Sequence, residues 1–400
     1  YMGFEHSVRL WHGQTGAPLA SYRGHQSEVL HAVFAPHSHE LATAGKDHIV
    51  QVWREHLGPI INLPSHSKSV WAGTFTPDGK LAVTAGGDGK VMLSSAQDGK
   101  KIEELTTYDN VLTSVSVSPD GQWLAASGFG ETHNAFLWNM ASKQRIDLLG
   151  HTDRVQNIAF SPDGHRLLTV SHDKTAKVWD VSTGKVIVSL PAGTTLWNGV
   201  FSPDGRQVVT VGHDGIGRIW DSQTGQLRIR LVGHAAPSCA VLYSQDGQWI
   251  ATGSDDKTAR IWNAQTGKLA HTLGTGNLGE GHTDSVTSLA LSRDGKILLT
   301  ASLDGTAIGW DVSTGKFKFA LVGHHEGIWS VQYSPDGKRI VTASADHTAR
   351  VWSAESHELL GVMRGHLGSL PFAIFSPDGN SVLTISVVQT ARIYNRFGID

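Results

Sequence analysis

An all-β fold built from repeated four-stranded antiparallel sheets is predicted by three observations. The tryptophans recur at an almost constant interval: Trp179, Trp220 and Trp262 lie 41 and 42 residues apart, and Trp310 and Trp352 lie 42 apart. A period of this length marks one supersecondary unit per repeat. The apolar runs between them are short, rich in β-branched residues and bounded by Gly, Pro, Asp and Ser, as strands are. The connecting sequences are turn formers, above all Ser161-Pro162-Asp163-Gly164, where Pro pre-sets φ and Gly tolerates the positive φ that follows.

The clearest unit spans residues 150–180. Gly150-His151 opens it, and VQNIAF, RLLTVS and TAKVWD follow as three strands, with a tight corner at His172-Asp173. A fourth strand is expected from Lys185 to Leu190. His151 precedes Asp173 by 22 residues and Trp179 by 28. The same intervals join His234, Asp256 and Trp262; His282, Asp304 and Trp310; His324, Asp346 and Trp352; and His25, Asp47 and Trp53.

In chain order, residues 1–23 read as a partial unit, with strands at His6–Trp11 and Ala17–Tyr22. Nine units then start near 24, 65, 107, 150, 191, 233, 281, 323 and 365. The unit near 65 has Ser94 in the Trp place. The unit near 107 is the most altered, with Tyr108 for His and Gly130 for Asp. The unit near 191 has Ala192 for His, and the last has Val388 for Asp and Tyr394 for Trp. The last unit also lacks a fourth strand.

With Gly-His opening the unit and Trp-Asp closing it (Trp179-Asp180, Trp220-Asp221, Trp310-Asp311), the chain resembles the WD-repeat family over nearly its whole length, in a prokaryotic-type array. The resemblance implies a β-propeller in which each unit is one radial blade. An unpaired edge strand invites aggregation, so the last blade is expected to borrow a strand from the other end of the chain. Ala17–Tyr22 is the candidate, which makes a ring of nine blades. The rival is part of a two-propeller array, with the longer link at Gly274–Glu280 as the junction.

Composition sets limits on function. The formal net charge is -3 with pI about 6.8, which disfavours a general polyanion binder, and no Lys/Arg stripe with stacking aromatics signals nucleic acid. No apolar run is long enough to span a membrane as a helix. One cysteine, Cys239, excludes an internal disulfide and fits a reducing, cytoplasmic setting. The chain starts at Tyr1, so a missing natural beginning is expected.

Residue types of a hydrolase triad are present but repeated. His151, Ser171 and Asp173 recur as His234, Ser254, Asp256; His282, Ser302, Asp304; and His324, Ser344, Asp346. A catalytic triad is a single constellation beside an oxyanion hole. The family resemblance implies instead a structural network: Asp accepts from His, His bonds Ser, and Ser accepts from the ring nitrogen of Trp179, Trp262, Trp310 or Trp352. No catalytic residue, cofactor or metal site is therefore assigned. The one local histidine cluster, His37-Ser38-His39 with His31, specifies no full ligand set.

The position five residues after the opening His begins the innermost strand, at the channel mouth of a propeller. It holds Trp71, Gln156, Trp197 and Trp329, among smaller residues. Three tryptophans there exceed what blade packing needs, and in a nine-blade ring they would stand a third of a turn apart. Glu28 and Arg154, two residues earlier in their units, and Lys46, His172, His213 and Asp255, just before the corner Asp, join the same face. Large aromatic anchors and varied charge suit recognition. The expected function is a non-enzymatic scaffold that binds a protein or peptide on this face. The alternatives are a regulatory or sensor region of a larger signalling protein, covalently joined to an upstream kinase or NTPase domain, and, further off, a propeller enzyme.

Overall fold

Eight four-stranded antiparallel sheets form the larger of two compact units, which spans Gly58–Phe397. The computed structural model describes residues 60–106, 111–129, 135–274 and 281–395, and five backbone strands between Ser7 and Arg54. Blade 3 shows the plan. Its strands Val155–Phe160, Arg166–Ser171, Thr175–Asp180 and Val186–Pro191 pair in sequence order, each with the next. The Ser161–Gly164 turn closes as its residues dictate, with the Gly164 N–H donating to the Ser161 carbonyl at 2.9 Å and φ of 74° at Gly164.

The innermost strands of blades 1 to 8 are Val70–Phe75, Val111–Val117, Val155–Phe160, Leu196–Phe201, Ser238–Tyr243, Val286–Leu291, Ile328–Tyr333 and Phe372–Phe375. Each touches the next, and the eighth touches the first. Eight apolar clusters fill the spaces between neighbouring blades. Leu168, Val178 and Leu190 of blade 3 meet Leu196, Val208 and Trp220 of blade 4, for example. The eighth cluster joins Leu383, Ile385 and Ile393 of blade 8 to Val70, Phe75 and Ala82 of blade 1. At the turns of blades 1 to 5 and 8, the glycine sits over the proline of the blade before it. A Cβ on Gly121 would lie 3.6 Å from Pro77, and one on Gly79 would lie 3.6 Å from Pro377, so this girdle also passes from blade 8 to blade 1.

The ring therefore has eight blades, which corrects the expected nine. Blade 8 contains Ser381–Ile385 and Ala391–Asn395, and its outermost strand is Ile60–Asn62, antiparallel to Ala391–Asn395 with Ile61 opposite Ile393. Backbone bonds continue the seam: the N–H groups of Leu63 and His66 donate to the carbonyls of Ala391 and Gln389, both at 3.1 Å. A borrowed closing strand was expected, but not this one. The segment expected there, Ala17–Tyr22, falls from residue 18 onward in the strand Pro18–Arg23, which pairs with Ser7–Trp11 instead. The unit near 24 is likewise outside the ring. Its strands Val29–Phe34, Glu40–Gly45 and Val50–Arg54 form a three-stranded sheet in the other compact unit. Nor does the long link before blade 6 separate two rings, because the Cys239 thiol donates to the Val286 carbonyl across that boundary at 3.1 Å.

Candidate functional site

Two sets of polar groups recur around the ring, and their geometry assigns them different work. In blade 3 the His151 Nδ1 lies 2.6 Å from Asp173 and its Nε2 lies 2.7 Å from the Thr169 hydroxyl, which also accepts from Trp179 Nε1–H at 2.7 Å. Blades 5, 6 and 7 repeat this through Thr252, Thr300 and Thr342, each within 3.0 Å of both His and Trp. The hydroxyl in the middle is thus a threonine, not the serine expected. Thr169 and Ser171 point to the same face of one strand, but only Thr169 is level with the indole ring.

The serine does something else. Ser171 Oγ accepts the Asp173 N–H at 3.1 Å and donates to the Arg154 carbonyl at 2.9 Å, which fixes the corner. Ser254, Ser302 and Ser344 accept from the matching aspartates, again at 3.1 Å. The signal for threonine was available: Thr84, Thr210 and Thr384 keep the position in blades 1, 4 and 8, and in blades 1 and 4 the serine has become Gly86 and Gly212.

Blades without the full set substitute in chemically readable ways. In blade 4, which lacks the histidine, Arg218 reaches Asp214 at 2.6 Å while Trp220 still donates to Thr210. In blade 8, Thr390 replaces the carboxylate opposite His366 Nδ1 at 2.9 Å. In blade 2 the threonine place is Ala126, and Trp138 Nε1 is left buried without a partner. Tyr108 and Gly130 of that blade, with Glu28, Lys46 and the His37–His39 cluster, lie outside the described residues.

The electrostatics fit a structural part. Burial by itself would raise the Asp304 and Asp346 carboxyls, but hydrogen bonds from His282, Thr306, His324 and Thr348 outweigh it and hold both well below the usual range. Burial depresses His234 and His324 against the pull of their aspartates, and depresses His366 to about 3. A neutral imidazole lets the bonds of blades 5 and 7 run in one direction, Trp to Thr to His to Asp.

This fixes a pH dependence. A histidine with lowered folded pKa contributes stability above its unfolded value of about 6.5 and loses it as pH falls. The lowered carboxyls lose theirs below their unfolded value of about 4. The melting temperature is therefore expected to hold from pH 8 to 7, decline below about 6.5 and drop more steeply below about 4, in calorimetric scans. A flat profile down to pH 4 contradicts the neutral-histidine assignment.

The second set lies where the innermost strands begin. In blades 1 to 7 the register slips by one residue there, and the extra residue is Trp71, Thr113, Gln156, Trp197, Cys239, Thr287 or Trp329. A bulge re-aims a side chain that the ladder would otherwise bury. Two of these bulges link blades, with Thr287 Oγ1 donating to the Ile328 carbonyl at 2.6 Å and Cys239 to Val286. The tryptophans are different. Trp71 and Trp329 are 42% and 44% exposed. Trp197 is half-buried, and the His172 ring meets its edge with centroids 5.0 Å apart. In an eight-blade ring they stand three, three and two blades apart, not a third of a turn.

The corner residues join this row through backbone bonds. The N–H of His172 donates to the Arg154 carbonyl, that of His213 to Thr195 and that of Asp255 to Pro237, each at 2.9 Å. Arg154, His172, Gln156 and Trp197 are thereby gathered on neighbouring blades 3 and 4. The Arg154 guanidinium lies over the Phe129 ring of blade 2 at 5.0 Å, a neighbour that position in the repeat did not reveal.

The model of the WD domain, G-beta repeat family matches residues 16–54, 58–93, 99–139, 142–180, 185–221, 225–263, 268–311 and 315–353. The chain belongs to the WD40 repeat family. The match at 58–93 begins just before the closing strand and carries on into blade 1, while that at 16–54 falls outside the ring. Among relatives, an uncharacterized WD repeat-containing protein of Synechocystis is 31% identical over 131 residues, covering 32% of this chain and 37% of its own. Cell division cycle 20.6, cofactor of APC complex, of Arabidopsis thaliana is 28% identical over 174 residues, covering 41% and 40%. The chain thus spans about two fifths of the length of these curated relatives. The crystal structure of the computationally designed Ika8 protein superposes with a TM-score of 0.74 at 23% identity, over 84% of this chain and 98% of that one, a likeness of fold alone.

Proposed function

We propose that this WD40 ring is a non-enzymatic interaction scaffold that binds a protein or peptide at the channel mouth, on the row of Trp71, Trp197 and Trp329 with Arg154, Gln156, His172, His213 and Asp255. The observation that carries the reading is the exposure of Trp71 and Trp329 at bulges where blades 2, 3, 5 and 6 place Thr113, Gln156, Cys239 and Thr287. Large indoles left in solvent on a rigid strand are the anchors that protein interfaces favour. The reactive residue types are bonded to one another in the repeated relay, which supports a scaffold over an enzyme. A relative named as a cofactor of the APC complex acts, by that name, together with a larger complex, which supports the same reading.

The test is affinity capture with the purified chain, then direct titration of whatever partner is recovered. Trp71→Ala and Trp329→Ala are each expected to weaken binding by about 30-fold, the effect of removing an interface anchor worth about 2 kcal/mol. Because both rings are solvent-exposed, melting should move by less than about 2 °C. Equal affinity for wild type and both variants would show that the tryptophans only fill the mouth of the channel, and would end the proposal.

A further inference from the structure

We infer that the part of the rim formed by blades 2 to 4 holds a side-chain carboxylate, an Asp or Glu within an extended segment of the partner. The inference rests on the rim being the docking surface.

Six side-chain polar atoms there are buried and have no hydrogen-bond partner in the chain: Thr113 Oγ1, Arg154 Nε, Gln156 Oε1, Asn157 Oδ1, His172 Nε2 and Trp197 Nε1. Buried polar groups are nearly always paired, so six on three adjacent innermost strands and the His172 corner need a cause. The habit of the repeat does not supply one. Arg260, Arg350 and Arg392 also bury an unpaired Nε, but all three sit at one repeated place beside the opening Gly233, Gly323 and Gly365. The rim group instead mixes residue types and occurs once among the described residues.

The chemistry of the six selects the ligand. Arg Nε–H and Trp Nε1–H can only donate. A hydroxyl rotates, and the assigned orientation of an Asn or Gln amide can be exchanged, so Thr113, Gln156 and Asn157 can turn a donor inward as well. Arg154, His172 and Trp197 are the members that contacts bring together, through the His172 N–H on the Arg154 carbonyl and the His172 ring on Trp197, and they suit an acceptor with several lone pairs. Arg154 makes a charged one preferable. Its stack on Phe129 occupies a face of the guanidinium and leaves the edge, where the N–H groups point, for a planar carboxylate. Asp153, the adjacent acid, accepts the Arg154 backbone N–H at 2.7 Å, and its charge acts on both Arg154 and His172 from the exposed side. Position argues for a side chain over a chain terminus. Trp197 stands three blades from both Trp71 and Trp329, so a segment that reaches both anchors across the site passes through it and does not end in it.

Random linear peptides displayed internally, with neither terminus free, provide the probe. Selected on the full chain, they are expected to share an Asp or Glu at one position. A synthetic selected peptide with blocked ends should bind at least about tenfold more weakly once that Glu becomes Gln, the loss of a charge-assisted hydrogen bond. Arg154→Gln and Trp197→Phe, which retain bulk, should weaken the Glu peptide by a similar factor and leave the Gln peptide unchanged, with unaltered melting. Selected peptides that need Trp71 or Trp329 yet share no acidic position would overturn the carboxylate and spare the rim. An Arg154-dependent gain from a free C-terminus, with no acidic side chain, would overturn the choice of side chain. Failure to select any peptide that depends on the rim would overturn both.

Discussion

A chain that begins at Ser65 is expected to lose the cooperative melting that a chain beginning at Gly58 keeps. The two differ by seven residues, Gly58 to Pro64, and those residues contain the strand that completes blade 8. Ile61 packs on the cluster between blades 8 and 1, Leu63 is buried in it, and Ile60–Asn62 supplies the ladder to Arg392–Tyr394. Burying two aliphatic side chains contributes about 1.5–3 kcal/mol each, and each ladder bond about 1 kcal/mol net, so removal costs on the order of 5 kcal/mol. That is comparable to the whole stability of many domains. It would also expose the edge of Ala391–Asn395, so the shorter chain should aggregate on warming. The chain from Gly58 retains all eight sheets and should melt sharply. Had the ring nine blades, both chains would have lost the same blade and would behave alike.

Thr300→Val should cost more than Ser302→Ala, although the serine is the residue that a triad-like reading would choose. Thr300 accepts from Trp310 Nε1–H at 2.9 Å and bonds His282 Nε2 at 2.7 Å, and all three side chains are buried. Valine has the same shape and neither bond, which leaves two buried polar atoms unpaired at about 1–3 kcal/mol each. An expected loss of about 3 kcal/mol follows, read as the shift in a denaturant midpoint with constant slope. Asp304→Ala should fall in the same range, because it strips His282 of its acceptor and frees the Thr283 and Thr306 N–H groups. Ser302→Ala removes one corner bond to the Asp304 N–H and one to the Asp284 carbonyl at the edge of solvent, and about 1 kcal/mol is expected. Equal costs for Thr300→Val and Ser302→Ala would return the serine to the centre of the relay.

What the residues disclosed, and what they withheld, follows from where each kind of information resides. Strands and turns within a blade are local, so Val155–Phe160, the Ser161–Gly164 turn and the His172-Asp173 corner were legible from spacing alone. The missing outer strand of the last unit was legible too, as three strands with no fourth after Tyr394. Ring size was not. It depends on how tightly neighbouring sheets pack, and the Leu168–Trp220 type of cluster looks the same in any propeller. Ile60–Asn62 and Ala17–Tyr22 are both short apolar strands preceding a Gly- or Pro-marked turn, and nothing local selects the one that meets Ile393. In the relay, serine and threonine lie two residues apart on one face, and only the height of the indole separates their duties. Where the innermost strands begin, the bulge that turns Trp71 and Trp329 outward is visible only in the pairing register. The company of Arg154, His172 and Trp197 likewise depends on which blades are adjacent.

The seam between the two ends of the ring offers the most direct measurement. Ile61 and Ile393 face each other in an antiparallel pair, whose Cα separation lies within the reach of a disulfide. In a Cys239→Ser background, Ile61→Cys with Ile393→Cys is expected to oxidise to a single intramolecular disulfide, identified by peptide mass mapping, and to raise the melting temperature. Ser21→Cys with Ile393→Cys should stay reduced. A disulfide that forms in the Ser21→Cys, Ile393→Cys chain and fails to form in the Ile61→Cys, Ile393→Cys chain would contradict the eight-blade closure and the rim geometry that depends on it.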